Sequence, residues 1–131
     1  MEFLQNSVRN DLMIDAIEGG SNYWYLLGED ATNTISKYQG LKLPLHGEYF
    51  YSTFAEAIMP AIEKEEKIPI HDIESPHELL GILSLESIKR GEEIMFEQYP
   101  KHFANILNEN SDAETADVWL QLCVMGEIVF G

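Results

Sequence analysis

The spacing of apolar and polar residues divides the chain into short helices and one alternating, strand-forming stretch. The most apolar segment lies at the end. From Ser111 to about Met125, Ala113, Ala116, Val118, Trp119, Leu120, Leu122, Cys123, Val124 and Met125 nearly surround a helix. A helix that is apolar on all sides is a buried one. Two polar residues interrupt it, Asp117 and Gln121, spaced i to i+4 and therefore on one face. Ser111 and Glu114 have the spacing of a capping box at its start.

Residues 6–18 predict a first helix. Val8, Leu12, Ala16 and Ile17, with Ile14 or Asp15, give most of an apolar stripe, Asn6 or Ser7 can cap it, and Gly19-Gly20 stop it. Glu18 falls in the last turn, where the helix dipole disfavours an anion. Tyr23-Trp24-Tyr25 follows as the densest aromatic cluster. It reads either as core filling with the polar atoms near the surface or as a platform for a ligand or partner.

Further along, 29–38 holds a short helix ended by Gly40. Leu41–Leu45 is extended and broken by Pro44. Ser52 to about Glu65 is a helix with Thr53 and Glu56 at capping-box spacing, and Pro60 inside it implies a kink or two shorter pieces. Then the period changes to two. Ile68–Ile73 and Leu79–Leu83, separated by Glu74-Ser75-Pro76-His77-Glu78, predict a β-hairpin. A lone hairpin is marginal in water, so it must lie on the helices or pair with another extended piece, for which Leu41–Leu45 is the candidate. Ser84 caps a helix to about Tyr99 with Leu85, Ile88, Met95, Phe96 and Tyr99 inward, and Gly91 on or beside that face allows another backbone close. Pro100 begins a short helix, 102–107. The pattern is that of an α+β single domain, mostly helical, with a small antiparallel hairpin or short sheet at about 68–83.

Charge narrows the functional classes. The chain has 23 acidic and 8 basic residues, a formal net charge of −15. A field of that sign repels nucleic-acid phosphate and anionic membrane, and the basic residues are scattered. Direct nucleic-acid or membrane binding is not expected. The single Cys123 excludes an internal disulfide and sits inside the apolar helix, as a small hydrophobe would. No apolar run reaches the length of a membrane span, and the N-terminus lacks the basic start and apolar core of a signal peptide, so a soluble, cytoplasmic protein is expected.

Signatures of catalysis are sparse. His46, His71, His77 and His102 lack the spacing of a metal site. There is no nucleophile elbow and no phosphate-binding glycine loop. Neither a cofactor nor a metal is expected. Carboxylate pairs such as Glu29-Asp30, Glu65-Glu66 and Glu92-Glu93 read as solvated. What remains is Glu114, Asp117 and Gln121 on one face of the last helix. They are expected to meet water, to pair with Asn22, Tyr23 or the Gly19-Gly20 backbone, or to line a pocket.

Glu18-Gly19-Gly20-Ser21-Asn22-Tyr23-Trp24, Tyr99-Pro100-Lys101-His102-Phe103, Asp112-Ala113-Glu114-Thr115-Ala116-Asp117 and Gly126-Glu127-Ile128-Val129-Phe130-Gly131 together resemble a family of small uncharacterised proteins of bacteriophages and prophages. The resemblance implies a phage origin and a host-cytoplasmic setting, without a mechanism. It singles out Glu18, Asn22, Trp24, Asp117 and Gln121, to which the aromatic cluster adds Tyr23. The expectation is a non-catalytic binding protein acting on a host protein or small ligand. The alternative is an acidic nucleic-acid mimic that inhibits a host nuclease. Ile128-Val129-Phe130 is apolar enough either to cap the core or to close a homodimer.

Overall fold

The last helix packs against more of the other elements than any other element does. In a computed structural model, which describes residues 3–40, 42–45, 48–51 and 53–131, it runs over Ala113–Met125 and buries nine of its residues, Asp117 and Gln121 among them. In chain order the elements are α1 (Asn6–Asp15), β1 (Tyr25–Leu26), α2 (Glu29–Ser36), β2 (Lys42–Leu45), β3 (Glu48–Tyr51), α3 (Phe54–Glu63), β4 (Ile68–Asp72), β5 (Leu79–Leu83), α4 (Leu85–Gln98), α5 (Pro100–Leu107) and α6 (Ala113–Met125). This is the mostly helical α+β architecture that the periodicities predict. His46, Leu41 and Ser52, which the sequence singles out, lie outside the described residues.

The sheet differs from expectation in its third strand. β4 and β5 form the antiparallel hairpin, but β4 pairs on its other side with β1, giving the order β1-β4-β5. Lys42–Leu45 instead pairs with Glu48–Tyr51 as a separate two-stranded ribbon. Two residues suffice for β1 because Ile73 N–H also donates to Trp24 C=O at 2.9 Å, extending the ladder where the aromatic cluster begins.

Helix termini follow local chemistry with three corrections. α1 begins after Gln5, without a side-chain cap. It does not stop at a glycine C-cap: Ala16–Gly20 continues as a π turn, closed by Ser21 N–H donating to Ala16 C=O at 2.8 Å. α6 is capped by Asp112, whose carboxylate accepts from Thr115 N–H at 2.8 Å, rather than by Ser111. Asp at the cap suits the positive end of the dipole better than a neutral hydroxyl does, and the Asp112 carboxyl is held below its ordinary range by its bonds to Thr115. Thr53 caps α3 as expected, and that helix passes through Pro60 without a break.

Two close approaches bring helices and sheet onto α6. A side chain at Gly91 on α4 would lie 2.6 Å from Cys123 N, so the glycine lets the two backbones touch. On β5, Gly81 meets the Val124 carbonyl in the same way. The core is one continuous cluster, with Trp24, Trp119, Leu12, Met13, Ile35, Ile58, Met59, Ile62, Ile68, Ile70, Leu83 and Ile88 its largest fully buried side chains. No helix among the described residues is long and apolar enough to cross a membrane.

Candidate functional site

Asp117 projects from α6 toward the segment that follows the π turn. There the wider turn and Gly20, where a Cβ would strike the Ala113 carbonyl, bring 20–24 against the start of α6. Ser21 Oγ and Trp24 Nε1 each donate to Asp117 Oδ1 at 2.7 Å. Tyr23 OH donates to Oδ2 at 2.6 Å and Gln121 Nε2 to the same oxygen at 3.2 Å. A carboxylate offers about four acceptor positions, and four donors fill them. Among the described residues no Lys or Arg lies in ion-pair distance of it, so the charge is held by hydrogen-bond dipoles alone.

Gln121, one turn on, extends the network to the chain end. Its Nε2 also donates to Phe130 C=O at 2.9 Å, and its Oε1 accepts from Val129 N–H and Phe130 N–H, both at 2.9 Å. The tail can reach back because Gly126 ends α6 in the left-handed region, at φ +76°. Phe130 then stacks on Trp24, centroids 5.5 Å apart and planes 11° from parallel. The apolar tail thus packs on its own core.

Tyr23 is the exposed member. The residue is 47% accessible and Val129, held by the same glutamine, is 50% accessible. Partial desolvation, then the hydrogen bond to Asp117 and its charge, push the phenol pKa up to about 12. Trp24, by contrast, is 1% exposed and belongs to the core. Glu18 and Asn22 are exposed and take no part in the Asp117 network. Glu18 instead acts on Tyr25, whose OH donates to Ile17 C=O and whose pKa is raised by burial and then by the Glu18 charge. Glu114 is exposed on the same helix. Of the predicted residues, the structure therefore joins Tyr23, Trp24, Asp117 and Gln121, adds Ser21, and leaves Glu18 and Asn22 outside.

A second network corrects the reading of Glu92 as solvated. Glu92 is fully buried and pairs with Arg9, Nε to Oε2 at 2.8 Å and Nη2 to Oε1 at 2.8 Å, in the bidentate geometry that favours such pairs. Leu4 N–H donates to Oε1 at 3.1 Å and Trp119 Nε1 to Oε2 at 3.2 Å. Asn6 Oδ1 accepts the remaining Arg9 branch at 2.9 Å. A signal was present in the sequence: Leu85, Ile88, Glu92, Met95 and Tyr99 recur at alternating spacings of three and four, so Glu92 lies on the apolar face. Neighbouring Cys123 is fully buried, and burial pushes its thiol pKa well up, as an inert thiol requires.

Both tryptophans thus donate their indole N–H to a buried carboxylate, one fixing residues 20–24 and the other the N-terminal residues to α4 and α6. The lone pairs of Asp117 and Glu92 are already occupied, which suits them to clamping rather than to accepting a proton from a substrate. No group of three or more potential metal ligands is assembled among the described residues. No family model, no curated protein and no solved structure matches the chain.

Proposed function

We propose that the chain is a non-catalytic binding protein of phage origin that acts on a host protein in the host cytoplasm, with Tyr23 and Val129 at the centre of its contact surface. The observation that carries this reading is the Tyr23 ring, half exposed yet fixed from beneath by Asp117 and Gln121 beside the anchored tail. A pre-ordered aromatic loses little conformational freedom on binding, which is the character of a hot spot.

The test is affinity purification from host lysate with the wild type and Tyr23→Ala. A partner lost on removal of the ring supports the reading; one retained equally by both variants refutes it. The second reading, an acidic nucleic-acid mimic, draws on Asp11, Asp15 and Glu109, which line a groove of about 430 Å³ without a cation in ion-pair distance among the described residues. Burial and then the Asp11 charge raise the Asp15 carboxyl pKa, as expected for crowded anions. Inhibition of a nuclease that is relieved by salt supports that reading; salt-independent binding refutes it.

A further inference from the structure

β5 forms an open edge of the three-stranded sheet, and its pairing with β4 decides which groups that edge exposes. In an antiparallel pair, alternate residues exchange both backbone bonds across the ladder and those between point both groups outward. Pro69 lies opposite Ile82 and has no N–H to exchange. The bonded pairs are therefore Ile68 with Leu83 and Ile70 with Gly81, and Ile82 turns its N–H and its C=O to the free edge. The same alternation continues where Asp72 N–H donates to Glu78 C=O, and outside the β4–β5 ladder neither Ile82 group has a partner among the described residues. A groove of about 480 Å³ runs beside Gly81 and Ile82, with Arg90 of α4 and Lys67 in its lining.

The groove selects by charge as well as by shape. Arg90 and Lys67 are exposed, and neither has a carboxylate in ion-pair distance among the described residues. Glu86 is the single acid of the lining, so the groove is net positive in a chain of formal charge −15. The groove lined by Asp11, Asp15 and Glu109 has the opposite sign.

We infer that this groove takes an extended segment of a partner protein, added as a strand to β5 and carrying a carboxylate that meets Arg90 and Lys67. A strand supplies the acceptor and donor that Ile82 lacks. A helix does not, since its backbone groups are bonded internally. A second copy of the chain is a poorer occupant. Edge to edge, β5 of one copy would meet β5 of the other, setting two net-positive grooves face to face and bringing two chains of formal charge −15 together. The inference shares with the proposed function only the premise of a binding protein, because Tyr23 precedes β1 at the other edge of the sheet.

The test is selection of a displayed random library of peptides about ten residues long on the folded protein, followed by fluorescence polarisation with the enriched peptides. The expected result is enrichment of Asp- and Glu-bearing sequences. Their affinity falls about tenfold or more in Arg90→Glu and in Ile82→Pro and is unchanged in Tyr23→Ala. Ile82→Pro removes the outward N–H without costing a bond to β4. Should that variant not fold, N-methylation along the peptide reports the same bonds, with affinity lost at alternate positions. No enrichment overturns the inference, as do peptides indifferent to Arg90→Glu and to methylation. Loss of binding in Tyr23→Ala alone also overturns it, assigning the peptides to the other surface. A dimer in sedimentation that Ile82→Pro dissolves overturns it in favour of a second copy.

Discussion

Replacing Asp117 by alanine tests whether the carboxylate holds the N-terminal segment to α6. The substitution leaves Ser21 Oγ–H and Trp24 Nε1–H, on residues 0% and 1% exposed, without an acceptor. A buried donor left unsatisfied costs about 1–3 kcal/mol, so the two together cost about 2–6 kcal/mol. Tyr23 is half exposed and turns to water at little cost, and Gln121 keeps its bonds to the tail. A water entering the vacated space restores part of the loss, and we expect a net destabilisation of about 3–4 kcal/mol. Against roughly 5–15 kcal/mol for a whole domain that is a large fraction. Asp117→Asn keeps one oxygen for Ser21 and Trp24 but sets an amide N–H₂ against Gln121 Nε2, for about 1–2 kcal/mol. Tyr23→Phe costs least. Urea unfolding followed by tryptophan fluorescence measures all three, with comparable m-values confirming that only stability has changed. The reasoning is refuted if Asp117→Ala loses less than about 1 kcal/mol, or no more than Tyr23→Phe.

Four further outcomes are expected. Arg9→Ala strands the fully buried Glu92 charge and destabilises by about 3–5 kcal/mol in the same unfolding assay; adding Glu92→Met recovers part of that, because Leu4 N–H and Trp119 Nε1–H still lack an acceptor. Gly91→Ala improves helix propensity but drives a methyl into the Cys123 backbone, so the balance is a loss of roughly 1–3 kcal/mol and a lower Tm. Because the Tyr23 phenol pKa is about 12 when folded and 10.0 is its ordinary value, its contribution is fully present below about pH 10 and is lost as pH rises toward 12; Tyr23→Phe flattens that alkaline loss in a pH series of unfolding midpoints. Cys123 stays unreactive to a thiol reagent in the folded protein and labels only on unfolding, which mass spectrometry of the labelled protein reads directly.

Much of the fold was legible because its causes are local. Helical spacing located α3, α4 and α6, alternation located β4, an apolar run beyond a turn located β5, and Gly91 marked a close approach before its neighbour was known. The candidate site was legible in part. Asp117 and Gln121 stood out as polar residues in an otherwise apolar helix, and the segment after Gly19-Gly20 was the expected partner. Which residues of that segment reach Asp117 was not readable, because the π turn changes the angular position of every residue after Ala16. Ser21 and Trp24 turn inward, while Asn22 faces solvent.

By itself the sequence determined the main helices, the β4–β5 hairpin and which helix is buried, since burial periodicity and capping act within a few residues. Tertiary structure decided what no local window contains. Glu92 and Glu93 are neighbours of the same type, yet one is sealed in the core and the other is exposed. Helical spacing puts Glu92 on the apolar face, but what makes its burial tolerable is an arginine 83 residues away, which no local window contains. The third strand of the sheet was settled in the same manner, by the Tyr25-Leu26 backbone arriving at β4 rather than by any preference of Leu41–Leu45. Long-range pairing of charges and of backbone groups depends on chain path, and the path is fixed only when the whole core closes.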